Sequence, residues 1–133
     1  MMRWGLAYLA TLVTICVLDF AWLGFVAKDF YRGQIGALLL DRPRWAAAGL
    51  FYAMYAAGTL GFVVVPAHDA GTWTRALVQG ALFGLVCYAT YDLSNLATLK
   101  GWTVPMTAAD IVWGMAVTAC AAIAGYAALR GAS

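Results

Sequence analysis

The sequence predicts an all-α polytopic membrane domain: four transmembrane helices, with an interfacial amphipathic segment between the first and second. Three observations carry this. The 133-residue chain is 65% hydrophobic and only 11% charged, whereas soluble domains carry about 25% charged residues. Four stretches reach the roughly 20 mostly apolar residues that a spanning helix needs. Trp4, Trp45, Trp73 and Trp102 all fall near the ends of those stretches, where amphipathic rings favour the headgroup layer. The length accommodates one domain, residues 1–133.

The first helix runs from about Trp4 to Ala27. It does not read as a cleaved signal peptide. Its apolar stretch exceeds the usual 7–15 residues, it contains Asp19, and no small-residue cleavage site precedes the charged loop. The next stretch, Lys28 to Leu40, is too short to span. Phe30, Tyr31, Gln34, Ile35, Leu38 and Leu39 recur there at three- and four-residue steps. It reads as an amphipathic segment in the interface, or as an ordered loop packed on the bundle.

The second helix runs from Trp45 to Val65, with Asp41 as a plausible cap before Arg42-Pro43 and Pro66 closing it. The third runs from Trp73 to Leu99. Thr72 can cap it, and Lys100-Gly101 suits its last turn. The fourth runs from Thr107 to Leu129, and Thr107-Ala108-Ala109-Asp110 has the form of a capping box.

Four spans put both termini on one side of the membrane, here side A. The Lys28–Arg44 and Lys100–Met106 loops then lie on side B. Lys28, Arg32, Arg42, Arg44 and Lys100 flank side B; Arg3, Arg75 and Arg130 flank side A. The positive-inside rule therefore favours a cytoplasmic side B and termini outside.

Composition also excludes function classes. A formal net charge of +2, with no basic cluster, gives no footprint for nucleic acid. Cys16, Cys87 and Cys120 lie within apolar segments and are odd in number, which argues against a disulfide framework. They read as small buried hydrophobes. The single histidine, His68, cannot by itself build a zinc, bis-histidine haem or His-box iron site. No cofactor is expected.

The polar groups inside the spans are few and collect at one level. Asp19 lies eight residues before the side B end of the first helix, Asp92 seven before that of the third, and Asp110 three after the cap of the fourth. At 1.5 Å per residue these depths are about 12, 10 and 5 Å. A carboxylate at such depth is expensive, by roughly 2.5–3.5 kcal/mol on insertion scales. Tyr52 and Tyr55 share the level on the second helix. Tyr88, Asp92 and Asn95 share one face of the third. Trp22 follows Asp19 by three residues and Trp113 follows Asp110 by three, which sets an indole beside each acid. The simplest construction is an aromatic-rimmed cavity holding carboxylates and open toward side B.

Each acid also has a structural explanation. Asp110 fits a helix cap. Asp92 can pair with Lys100 or with an arginine of the Lys28–Arg44 segment. Asp19 has no basic residue within a helical turn and is the hardest to explain this way. Ala76, Gly80 and Gly84 form a small-residue stripe on the third helix, suited to close packing within the chain or to a homodimer.

The run Tyr88-Ala89-Thr90-Tyr91-Asp92-Leu93-Ser94-Asn95-Leu96-Ala97-Thr98-Leu99 resembles the signature of a family of small bacterial membrane proteins, the domain of unknown function 2177. Asp19-Phe20-Ala21-Trp22-Leu23-Gly24, Phe30-Tyr31, Phe51-Tyr52-Ala53-Met54-Tyr55 and Asp110-Ile111-Val112-Trp113-Gly114 look similar as well. The resemblance covers nearly the whole chain. It implies a four-helix bacterial inner-membrane protein and no particular activity. Ser94 stands where a threonine is expected, which keeps the hydroxyl.

Four functions fit these parts. The first is a binding or accessory protein that holds a small amphipathic or lipid-like molecule through Asp19, Trp22, Tyr52, Tyr55, Tyr88, Asp92, Asn95, Asp110 and Trp113. The second is a proton-coupled exporter acting as a homodimer. The third is a lipid-modifying enzyme, which lacks a visible nucleophile elbow, metal box or Asp-rich motif. The fourth is a structural subunit of a membrane assembly. The three-acid layer and the aromatic pairs favour the first.

Overall fold

A computed structural model describes residues 1–133. No water in a bilayer core can satisfy backbone amides, so each apolar stretch satisfies its own by coiling. Helix α1 spans Met2–Val26, α3 Trp45–Ala70, α4 Trp73–Thr98 and α5 Val104–Gly131. The short helix α2, Lys28–Ile35, continues into a 3-10 turn at Gly36–Leu38. All four long helices are apolar enough to cross a membrane. Leu9, Val13, Val17 and Phe20 on α1, Phe62 on α3, Val86 and Leu93 on α4 and Val112 on α5 point outward. Water would penalise that surface; lipid does not.

Several helix ends differ from the sequence expectation. Pro66 does not close the second helix. A π-helical turn at Leu60–Val64 precedes it, and the helix runs on to Ala70 before Gly71 ends it at φ 75°. The wider turn shifts the carbonyl register, so Pro66 sits in a fresh first turn where its missing N–H is harmless. Asp41 does not cap this helix. It begins at Trp45, after an extended Arg44 and with no side-chain cap; Pro43 holds the residue before it out of the helical region. Thr72 caps α4 as expected, accepting from the Thr74 amide at 3.3 Å.

The Thr107–Asp110 capping box is not formed. Thr103 is the cap of α5, accepting from the Met106 amide at 3.3 Å, and Pro105 occupies the first turn. Thr107 instead donates to the Thr103 carbonyl at 2.8 Å. Asp110 therefore stands in the second turn, beyond the reach of any cap role.

Helix α5 is the centre of the bundle, with α1 and α4 packed along it. The Ala76, Gly80, Gly84 stripe is buried against α5. A Cβ on Gly84 would collide with the Gly114 carbonyl, and one on Gly114 would collide with the Tyr88 ring. This face is used for packing within the chain. The cysteines also differ from expectation: Cys16 and Cys87 are half-buried and Cys120 is exposed, so none belongs to the buried core.

The core is divided by level. On side A, Ala7, Val63, Val64, Ala67, Ala76, Ala122, Tyr126 and Leu129 form one apolar cluster. Mid-bundle, Ile15, Ala56 and Ala121 pack beneath Tyr52 and Tyr55. On side B, Ala27, Tyr31, Ile35 and Met106 join Trp22 and Trp102. The segment between the first two spans is thus a helix docked on the bundle through Tyr31 and Ile35. Lys28, Asp29, Phe30, Arg32 and Gly33 remain exposed, and Gln34 is half-buried.

Candidate functional site

Alternating helix direction brings Asp19, Asp92 and Asp110 into the same half of the bundle. Their surroundings differ sharply. Asp19, on the last α-helical turn of α1, is 5% exposed. Its Oδ2 accepts from the Tyr52 hydroxyl at 2.8 Å and its Oδ1 from Trp113 Nε1 at 2.7 Å. One carboxylate thus ties α1 to α3 and to α5. Hydrogen bonds to an ionised acceptor are roughly twice as strong as neutral ones.

The indoles do not each attend the acid three residues before them. Trp22 and Trp113 stack on one another, with centroids 4.5 Å apart and planes 4° from parallel. Trp113 donates across the bundle to Asp19, and Trp22 Nε1 donates to the Tyr31 hydroxyl at 2.9 Å. Tyr31 in turn donates to Asp110 Oδ1 at 2.9 Å. Burial raises the Tyr31 hydroxyl pKa well above the ordinary value, and the Asp110 charge raises it further despite the Trp22 hydrogen bond. It remains a donor.

Asp92 is the exception. It is fully buried, and neither carboxylate oxygen has a hydrogen-bond partner. No Lys or Arg nitrogen lies within 4.0 Å of it; the chain's one acid–base contact is His68 with Asp69, at 3.8 Å on side A. The expected pairing with Lys100 or with an arginine of the Lys28–Arg44 segment is not made. Lys100 is exposed beyond the helix end, where its ammonium keeps its hydration. Asp92's ionisable neighbour is Asp110, close enough for the two to share a hydrogen bond when one is protonated. As two carboxylates neither can donate to the other.

Tyr55 and Tyr88 pack edge-on at 6.1 Å, and Tyr55 also stacks on Phe83 at 5.8 Å. The Tyr55 hydroxyl bonds Thr118 Oγ1, which donates to the Gly114 carbonyl. The Tyr88 ring lies over Gly114, where only a glycine leaves it room. Asn95 is half-buried at the helix end; its carbonyl accepts from the Leu99 amide at 2.8 Å, but its side chain joins no bond of this network.

The acids do not line an aromatic-rimmed cavity open toward side B, since Asp92 and Asp19 are sealed. A groove of about 470 Å³ lies at this level, walled by Trp22, Ala108, Ala109, Val112, Trp113 and Ala116. It is wholly apolar. The indole pair borders this groove, while the Trp113 N–H donates to Asp19 and the Trp22 N–H to the Tyr31 hydroxyl.

A family model described as a predicted membrane protein, DUF2177, matches residues 4–127. The chain belongs to the DUF2177 family. No curated protein and no solved structure matches it. The matched span of this DUF2177 protein takes in all three acids, both stacked indoles and Tyr31. Tyr31 is the participant that sequence reasoning left out of the site. Its signals were the three- and four-residue recurrence of apolar positions around it and the Phe30-Tyr31 pair in the family resemblance.

Proposed function

We propose that this DUF2177 protein binds a small amphipathic or lipid-like molecule in the side B half of the bundle. The apolar part lies in the groove beside the Trp22–Trp113 stack, and the polar part reaches Asp110 and Asp92. The observation that carries this reading is Asp92: a fully buried carboxyl group with no donor to either oxygen. Native proteins satisfy more than nine in ten buried polar groups, so an orphaned acid calls for an external donor. A wholly apolar groove at the same level, walled in part by Trp22 and Trp113, offers a place for an apolar chain.

Asp19 supports a different role. Both of its oxygens are occupied by donors from other helices, which favours a register lock over a cation-exchange site. The loop charges, five on side B against three on side A, favour a cytoplasmic side B and termini on the periplasmic face of a bacterial inner membrane.

Mass spectrometry of small molecules and lipids that co-purify with the chain tests the binding reading. A species enriched with the wild type and depleted with Asp92→Asn is the expected result. Identical profiles for the two would refute it.

A further inference from the structure

We infer that the polar end received by Asp92 and Asp110 is a cationic N–H donor of the alkylammonium class. The inference rests on the amphipathic-ligand reading and specifies its chemistry.

The reasoning is a charge and donor balance. Three carboxyl groups occupy one half of the bundle, and none has a basic side chain within 4.0 Å. Asp19 accepts two donors and Asp110 accepts one from Tyr31. Asp92 accepts none. Even with one proton shared between them, the Asp92–Asp110 pair keeps one negative charge, has no basic side chain within 4.0 Å and leaves an Asp92 oxygen without a donor. An anionic headgroup brings a like charge to a buried acid. A sugar headgroup donates but leaves the charge unbalanced. A quaternary ammonium balances the charge but has no N–H. A primary ammonium brings one positive charge and three donors, and its hydrogen bonds to carboxylates are charge-assisted.

The surroundings suit the same ligand. Tyr31 and Trp22 meet edge to face at 6.4 Å beside Asp110, and aromatic faces attract ammonium ions. The apolar groove takes the alkyl chain. Tyr31 sits on the short docked helix α2, outside the spanning helices.

The test is thermal unfolding of the full chain in dodecyl maltoside, in wild type, Asp92→Asn and Asp69→Asn. The probes are n-octylammonium, n-octyltrimethylammonium, octyl sulfate and octyl glucoside at equal concentration, with NaCl and CaCl2 as tail-free cations. At about fivefold its Kd, octylammonium is expected to raise Tm by roughly 4 °C. The rise should persist in Asp69→Asn, vanish in Asp92→Asn and exceed that from octyltrimethylammonium. An equal rise with octyl sulfate or octyl glucoside, lost in Asp92→Asn, overturns the charge assignment and leaves the binding reading standing. An equal rise with sodium or calcium alone overturns the amphiphile headgroup. No rise with any probe overturns the inference and the binding reading together. Should Asp92→Asn fail to purify as a monodisperse species, Asp110→Asn replaces it. The octylammonium against octyltrimethylammonium comparison decides the donor requirement on wild type alone.

Discussion

Tyr31 and Asp110, 79 positions apart in the chain, are joined by a 2.9 Å hydrogen bond from the phenol to the carboxylate. The same hydroxyl accepts from the Trp22 indole. One oxygen on an eight-residue surface helix thus connects the end of α1 to the second turn of α5.

Removing that oxygen should loosen α2 before anything else. Tyr31→Phe keeps the ring in its apolar cluster but leaves the Trp22 N–H and one Asp110 oxygen without a partner. A hydrogen bond to a charged group is worth about 1.5–3 kcal/mol. We expect the global stability to fall by about that amount or less. Amide exchange across residues 28–38 should accelerate while exchange in α4 and α5 stays unchanged. Uniform acceleration throughout the chain would show that α2 is not a separable unit.

The same bond sets a pH expectation. Burial raises the Tyr31 pKa above its ordinary value, so the stability it contributes is complete below about pH 10 and is lost only as pH rises through the higher folded value. Exchange across residues 28–38 should therefore stay slow from neutral pH up to about 10, after correction for the intrinsic rate. Selective loss of protection there near pH 8 would contradict the assignment of Tyr31 as a buried donor.

Much of this site was legible because helix geometry is arithmetic. Rise per residue and alternating direction suffice to set Asp19, Asp92 and Asp110 at one level, with Tyr52 beside them. Partner choice was not legible. Trp113 follows Asp110 by three, yet its N–H reaches Asp19 on another helix, because the stack with Trp22 turns the indole edge that way. Thr103 and Thr107 stand one turn apart and both resemble caps. Pro105 decides between them, since it fits the first turn of a helix and would break an interior turn. Tyr31 was hidden for a related reason: whether an amphipathic segment faces lipid or docks on its own bundle is settled by tertiary contacts.

Gly114 offers a packing test. A methyl group there would occupy the space of the Tyr88 ring, and overpacked cores lose typically 1–3 kcal/mol. Gly114→Ala should lower stability by about that amount in detergent unfolding. Combining it with Tyr88→Ala should recover part of the loss, measured against Tyr88→Ala alone. Equal losses from Gly114→Ala in both backgrounds would mean that the ring is not what the glycine accommodates.

Asp19 and Asp92 are both buried acids, and the same isosteric change should affect them oppositely. In Asp19→Asn the amide retains one acceptor oxygen, but its NH2 must face either the Tyr52 hydroxyl or the Trp113 N–H, both of which donate to Asp19. At least one charge-assisted bond is lost, and a donor meets a donor. A loss of about 1.5–3 kcal/mol follows. In Asp92→Asn no donor from another residue loses its acceptor, because none reaches the carboxyl group; the new amide N–H can donate to Asp110 in place of a shared proton, and a titratable group leaves an apolar surrounding. The unfolding temperature of ligand-free Asp92→Asn should equal or exceed that of wild type. Denaturant or thermal unfolding of the two variants, side by side in the same detergent, reads the difference directly. Equal destabilisation of both would mean that Asp92 is held by bonds as Asp19 is, and that its burial serves the bundle alone.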